Sequence, residues 1–443
     1  MKQLRTIIII VALIVIPLLM LQLRVNGLLE ATTFYQQNRS LPGNASASAA
    51  LPPYLANFKP SEKQLALPGQ IIRDYRGPAE FERILGQEIE LDNLIGKETV
   101  NDLLDQGKKP FTAIDITPKP DLFLYDSFPA VRLGLKYARY LSLKAILHAS
   151  RHQNDDAVSC LQAALIQVIE AARPTQGMFF DLAARLQTGV ELTEVCKDIN
   201  LVCYLTDLSE YQASVLLEQL KQTQERLVPV KAVLQQYRDR LSNFAGWFRG
   251  AGLADSSGKH SKYEKNLKEL VPHFKIAFDR IFTEFLDVAD VSYASASAML
   301  IKNMEIREHE FKRIAVSSTL MMTIIDFQSQ PMNIAIKCLL NDIPDFRQLI
   351  DKHWIERQQI EGCRTMLALE AYRERHMIYP DTIVQLNDFF KQTFGKDVFN
   401  DQQLYFASEP VRLQSSGHDM KAGSADDIMV FPDTMAAETV TGN

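Results

Sequence analysis

Apolar residues recur at three- and four-residue spacings over most of the chain, the period of a helix with one buried face. Between Ala130 and Ser150 this stripe holds Leu133, Tyr137, Tyr140, Leu141, Leu143 and Ile146. A polar break follows from His152 to Asp156, where Asp155 or Asp156 can serve as an N-cap, and Ala157 to Ala172 resumes with Val158, Leu161, Leu165, Val168 and Ile169. Two helices joined by so few polar residues predict an antiparallel hairpin. Ser209 and Gln212 have the spacing of a capping box that opens a further helix through Leu227, and Pro229 ends it. The same pattern predicts helices over 265–288, 297–314 and 345–375. Residues 242–264, rich in Gly, Ser and charge, read as an exposed loop or joint. The apolar run 314–325 is only 12 residues long and polar-interrupted, which suits a core helix rather than a membrane span.

The period changes towards the C-terminus. A helix closes before Pro380, because the residue preceding a proline is driven out of the helical region. A short helix over 381–390 follows, and residues 403–407, 411–414 and 428–431 read as strands separated by turns. The predicted fold is mainly α: an irregular helical bundle or tetratricopeptide-like solenoid with a small α+β tail. A strict 34-residue repeat is not evident.

At the other end, Met1 to Arg5 is short and basic, and Thr6 to Leu23 is an 18-residue run dominated by Ile, Val and Leu. At about 1.5 Å per residue such a helix covers roughly 27 Å, the thickness of a hydrocarbon core. A cleavable signal peptide is the rival reading. The run exceeds a usual signal core, however, and it ends among Gln22, Arg24 and Asn26 rather than at an Ala-x-Ala site. The reading is therefore a transmembrane signal-anchor over 1–27, single-pass and N-in, in the inner (cytoplasmic) membrane. Residues 28–60 are small, polar and Pro-punctuated and read as a flexible tether. A helical body over 61–344 and an α+β tail over 345–443 complete the organisation, both extracytoplasmic.

Composition narrows the function classes. The 443 residues carry 48 Lys and Arg against 54 Asp and Glu, and residues 1–24 hold basic residues without an acid, so the remainder is more acidic still. With no basic run, nucleic acid is not an expected partner. Cys160, Cys196, Cys203, Cys338 and Cys363 form no CxxC and no even framework. Cys196 and Cys203 are too far apart for a disulfide on one continuous helix, although Asp198 and Asn200 could break it. Buried small hydrophobes is the plainer reading of all five.

Catalytic signatures are sparse. His148 and His152 have the spacing that places two imidazoles on one helix face, with Asp155 and Asp156 nearby, although a polar turn between helices has the same look. Glu305, Glu308, His309 and Glu310 form a charged helix face without an HExxH. The stretch from Gly252 to Lys259 has five residues between its glycines and His260 where a phosphate loop needs Ser or Thr. No nucleophile elbow or catalytic-Cys context is present. Asp419, Asp426 and Asp427 stand out, beside Ser415, Ser416, Gly417 and Ser424: such a loop offers a hard cation the oxygens it needs, and the plainer reading is a solvated acidic turn.

The phrases ALEAYRERHMIYPDTIVQL, DVFNDQQLYF and SSGHDMKAGSADDIMV resemble the C-terminal globular part of the major pseudopilin of type II secretion. A similar tail, with a middle section like RYLSLKAILHASRHQNDDAVSCLQAAL, is found in uncharacterised membrane-anchored helical proteins of planctomycete-type bacteria. The chain departs from the pseudopilin pattern in lacking the Gly-Phe-x-x-x-Glu processing motif. It has Asp397-Val-Phe-Asn400 in place of Asp-Pro-Phe-Gly, and Gly417-His-Asp-Met420 in place of Gly-x-Asp-Gly. The resemblance implies that Asp419, Asp426 and Asp427 bind calcium. The functional expectation is an anchored envelope protein that serves as an interaction or scaffold surface with a protein partner. The alternatives are an accessory of a type II-like secretion system and an extracytoplasmic metal-dependent hydrolase.

Overall fold

The computed structural model describes residues 81–107, 128–171, 182–235, 346–409, 411–424 and 426–431, with scattered positions in 20–30 and 272–299. The tether beyond Glu30, the 242–264 loop, the 314–325 run, Cys338 and the cluster from Glu305 to Glu310 lie outside the described residues, as do most of the anchor and most of the helices expected over 265–288 and 297–314. Among the described residues no helix is long and apolar enough to cross a membrane. The chain packs as two units, one of residues 48–233, 292–294 and 348–443, the other of 1–47, 234–291 and 295–347. Most described residues belong to the first.

That unit is mainly helical with a three-stranded antiparallel sheet at its C-terminal end. Its helices are α1 (Phe81–Ile95), α2 (Lys97–Gly107), α3 (Phe128–Ser150), α4 (Asn154–Ala171), α5 (Leu182–Leu205), α6 (Glu210–Arg226), α7 (Phe346–His376) and α8 (Ile383–Phe390). The strands β1 (Tyr405–Ser408), β2 (Val411–Ser415) and β3 (Ile428–Phe431) lie in the order β1-β2-β3. Tyr405 pairs with Gln414 and Ser408 with Val411, while the β2–β3 ladder is irregular between Leu413 and Gln414.

The expected hairpin is α3–α4, and its turn differs from expectation in an instructive way. The N–H of Gln153 donates to the His148 carbonyl at 2.9 Å and that of His152 to Ala149 at 2.9 Å. These two bonds define a Schellman closure, with His152 in the left-handed region at φ 56°. His152 is therefore off the helix and does not share a face with His148. Helix α4 opens at Asn154, two residues earlier than an Asp155 cap would allow, so Asp155 and Asp156 sit in its first turn and complement the positive end of its dipole. The Asn154 amide reaches out to the Asp207 carbonyl at 2.6 Å and accepts from the Thr206 hydroxyl at 2.7 Å, tying this turn to the end of α5.

The capping box at Ser209 forms as expected: the Gln212 N–H donates to the Ser209 hydroxyl and the Ser209 N–H to the Gln212 side chain. Helix α5, by contrast, runs unbroken through Asp198 and Asn200, both buried. Asn200 is held inside because its amide donates to the Val430 carbonyl of β3 at 3.0 Å. Cys196 and Cys203, on this one helix, are free thiols, as are Cys160 and Cys363, and all four are buried.

One hydrophobic cluster joins Leu141 of α3, Leu161 of α4, Leu192 of α5, Leu216 of α6, Leu367 of α7, Leu386 of α8, Leu413 of β2 and Val430 of β3. The C-terminal elements thus share a core with α3–α6. Gly362 shows how close the approach is: a Cβ there would meet the Val430 Cγ1 at 2.0 Å, so only glycine lets β3 lie against α7.

Candidate functional site

Helices α5 and α7 run in parallel, and the polar contacts between them form a seam. At its N-terminal end Arg185 and Glu356, both buried, make a bidentate pair: Nη1 donates to Oε2 and Nη2 to Oε1, each at 2.8 Å. The remaining Nε donates to the Val228 carbonyl at 2.7 Å, so all three nitrogens of the fork are used. Gly189, one turn after Arg185, makes room, since a Cβ there would lie 2.0 Å from the Glu356 carboxylate. His353, on the preceding turn of α7, is pushed down to about 3 by burial, with the Arg185 and Arg357 charges adding to the effect. It stays neutral. Arg357 lies 4.5 Å over the Trp354 ring, and Trp354 in turn meets Tyr293 edge-on.

Midway along the seam, Cys196 faces Cys363. At the far end Glu370, fully buried, accepts from the Tyr379 hydroxyl at 2.6 Å. Arg373 bridges Glu370 and Asp207 at 2.7 Å to each. The Arg373–Glu370 approach is short but poorly directed, leaving Glu370 Oε2 and Arg373 Nη2 without an aligned hydrogen bond. Burial consequently dominates, raising the Glu370 carboxyl to about 7 against the lowering effects of Tyr379 and Arg373.

A second network orders the tail. Asp397, buried after α8, accepts from the Phe399 N–H at 3.0 Å, the Ser415 hydroxyl at 3.0 Å, and both the N–H and hydroxyl of Ser416 at 2.8 Å. Four donors on one carboxylate fix the turn before β1 against the end of β2.

The three aspartates singled out from the sequence lie together in the β2–β3 connection, all reaching the Ser424 hydroxyl. Oγ is 3.2 Å from Asp419 Oδ1, 2.5 Å from Asp426 Oδ1 and 3.2 Å from Asp427 Oδ1. Main-chain N–H groups also serve them: Asp419 donates to Asp426 and Lys421 to Asp419, both at 2.8 Å, and Gly423 to Asp427 at 2.7 Å. The Asp426 carboxyl is held below its ordinary range by the Ser424 hydroxyl first and the Asp419 N–H second. The hydroxyl occupies the centre of this ring, and among the described residues no group of three or more His, Cys, Asp or Glu is spaced to hold a metal ion as it stands.

The histidines singled out from the sequence are not brought together. His148 Nδ1 lies 2.8 Å from the Gln153 side chain, and His152 is exposed in the Schellman turn. Arg185, Glu356, Glu370 and Asp397 were not singled out as polar anchors from the sequence, since Arg185 and Glu356 are 171 positions apart. No family model, curated protein or solved structure matches the chain.

Glu370 gives this region a pH signature. The folded chain keeps a proton on Glu370 up to about pH 7, whereas an unfolded chain releases it near the ordinary value of 4.5. Between those values the folded state binds more protons, so stability is highest below that window, falls as pH rises through it, and is flat beyond. The loss is on the order of 3 kcal/mol. Glu370→Gln removes the titration, and urea unfolding of the full chain at intervals from pH 4.5 to 7.5 should show that much less slope in the variant.

Proposed function

We propose that the chain is a single-pass, membrane-anchored extracytoplasmic protein of the cell envelope whose helical body is an interaction or scaffold surface. It would be held N-in by residues 6–23, spaced from the membrane by 28–60, and closed by a pseudopilin-like tail. The observation that carries the reading is the way polar groups join elements that are distant in the chain. Arg185 pairs with Glu356, Arg373 bridges Glu370 and Asp207, and Asp397 is taken up by Ser415 and Ser416. These groups hold elements in register with one another, which is the work of a scaffold.

A contact surface is available where the seam ends. Tyr211 is 78% exposed, Met377 82% and Ile378 67%. The ion pair between Arg375 and Glu210 at 3.3 Å brings the end of α7 to the start of α6, and so gathers these apolar groups at one end of the unit. Proximity labelling from the outer face of the membrane, with the full chain, should recover one protein partner reproducibly. That partner should be lost in a Tyr211→Asp/Met377→Asp variant whose unfolding midpoint is unchanged. A diffuse background from the unaltered chain would contradict the reading.

A second reading, an accessory of a type II-like secretion system, draws support from the tail. Its helix, Tyr379-Pro380 break, short helix and three-stranded sheet with an acidic loop between β2 and β3 follow the order the pseudopilin resemblance implies. On either reading we assign calcium to Asp419, Asp426 and Asp427. One hydroxyl proton cannot serve three carboxylates, so two of the Ser424 contacts set oxygen against oxygen, a repulsion that a divalent cation would relieve. Calcium a hundredfold above its dissociation constant would stabilise the folded chain by about 2.7 kcal/mol. Thermal unfolding of the full chain should shift upward with calcium and downward with chelator. Asp426→Ala should abolish the shift. A midpoint in the unaltered chain that ignores both additions would reduce the loop to a self-satisfied acidic turn.

A further inference from the structure

The interior of the seam holds a chemistry that the proposed function leaves unused. Arg185 against Glu356 and Asp207 against Arg373 fix the register of α5 on α7 at two ends. Those pairs are offset by 171 and 166 positions, and Cys196 and Cys363, offset by 167, fall between them. A third observation triangulates the same point. Val430 of β3 accepts from Asn200, one turn beyond Cys196, while its side chain lies against Gly362, the neighbour of Cys363. Both thiols are fully buried, and the two side chains are in hydrogen-bonding contact.

We infer that Cys196 and Cys363 form a disulfide that locks α7 to α5 when the body folds in an oxidising compartment. The sulfurs join as two thiols lose two protons and two electrons. The electrons pass to a small-molecule disulfide or a thiol–disulfide oxidoreductase, which leaves as a dithiol or a pair of thiols. Cys203 is not an alternative partner for Cys196, because seven residues on one helix place it about 10 Å further along the axis. Cys160 sits in a different environment, beside Lys144 and Asp156. Burial raises the Cys363 thiol well above its ordinary range, so thiolate is scarce once the seam has closed and the exchange belongs to folding or to transient opening. The inference rests on the extracytoplasmic reading only for its occurrence in the cell.

The test uses the full chain, unfolded in denaturant that already contains an alkylating agent so that buried free thiols are capped as they emerge, and peptides are mapped without reduction. One sample comes directly from cells. The other is purified chain equilibrated with oxidised and reduced glutathione at an extracytoplasmic poise, in mild denaturant so that the seam can open. Both should contain the Cys196–Cys363 peptide pair. Reductant should lower the unfolding midpoint of the unaltered chain by roughly 5 °C or more while leaving that of Cys363→Ala unmoved, a comparison insensitive to any cavity the variant creates. Free thiols at both positions in the equilibrated sample, or either sulfur bonded elsewhere, would overturn the inference. A pair formed in the equilibrated sample but absent from cells would uphold the lock and contradict the extracytoplasmic reading instead.

Discussion

A guanidinium and a carboxylate taken out of water together must satisfy each other, because either one left alone in the interior costs about 3–5 kcal/mol. Arg185 and Glu356 meet that condition with two parallel hydrogen bonds, and the Val228 carbonyl takes the third donor. The geometry tolerates little displacement. Sliding α7 by one turn along α5 would carry Glu356 past the gap left by Gly189. The pair therefore sets the register, and what lies further along the seam follows: Cys196 against Cys363, Glu370 and Arg373 against Cys203 and Asp207.

Register in turn decides where the sheet can sit. With Gly362 turned towards β3 and Asn200 donating to the Val430 carbonyl, the third strand spans both helices of the seam. Asp397 then ties the turn after α8 to the end of β2, so the short hairpin is held at both margins. A three-stranded sheet of four or five residues per strand has little stability of its own. Its place in the common core with α3–α6 supplies what it lacks. The tail is thus built into the unit, and the acidic loop between β2 and β3 is presented on a fixed base.

Features governed by near neighbours were legible in the sequence. The α3–α4 hairpin, the Ser209–Gln212 box, the break before Pro380 and the three strands each depend on spacing within a few residues, and the structure has all of them. Where near neighbours left more than one outcome open, one was decided locally and another at a distance. His152 adopts a left-handed closure usually left to glycine, and Asn200 stays helical because a distant strand carbonyl satisfies its amide. The seam itself was not legible, since nothing near Arg185 in sequence announces a carboxylate 171 positions away. The acidic residues of the tail loop stood out by composition. That Ser424 would sit at their centre required the backbone to be seen.

The central claim is that α5 and α7 stand and fall as one structure, although they are far apart in the chain. Native-state hydrogen exchange on the full chain tests it directly. The buried amides of α5 and α7, and those of β2 and β3, should open with a single free energy equal to that of global unfolding. Amides of α7 and the sheet that exchange through a separate, lower-energy opening while α5 stays protected would contradict it.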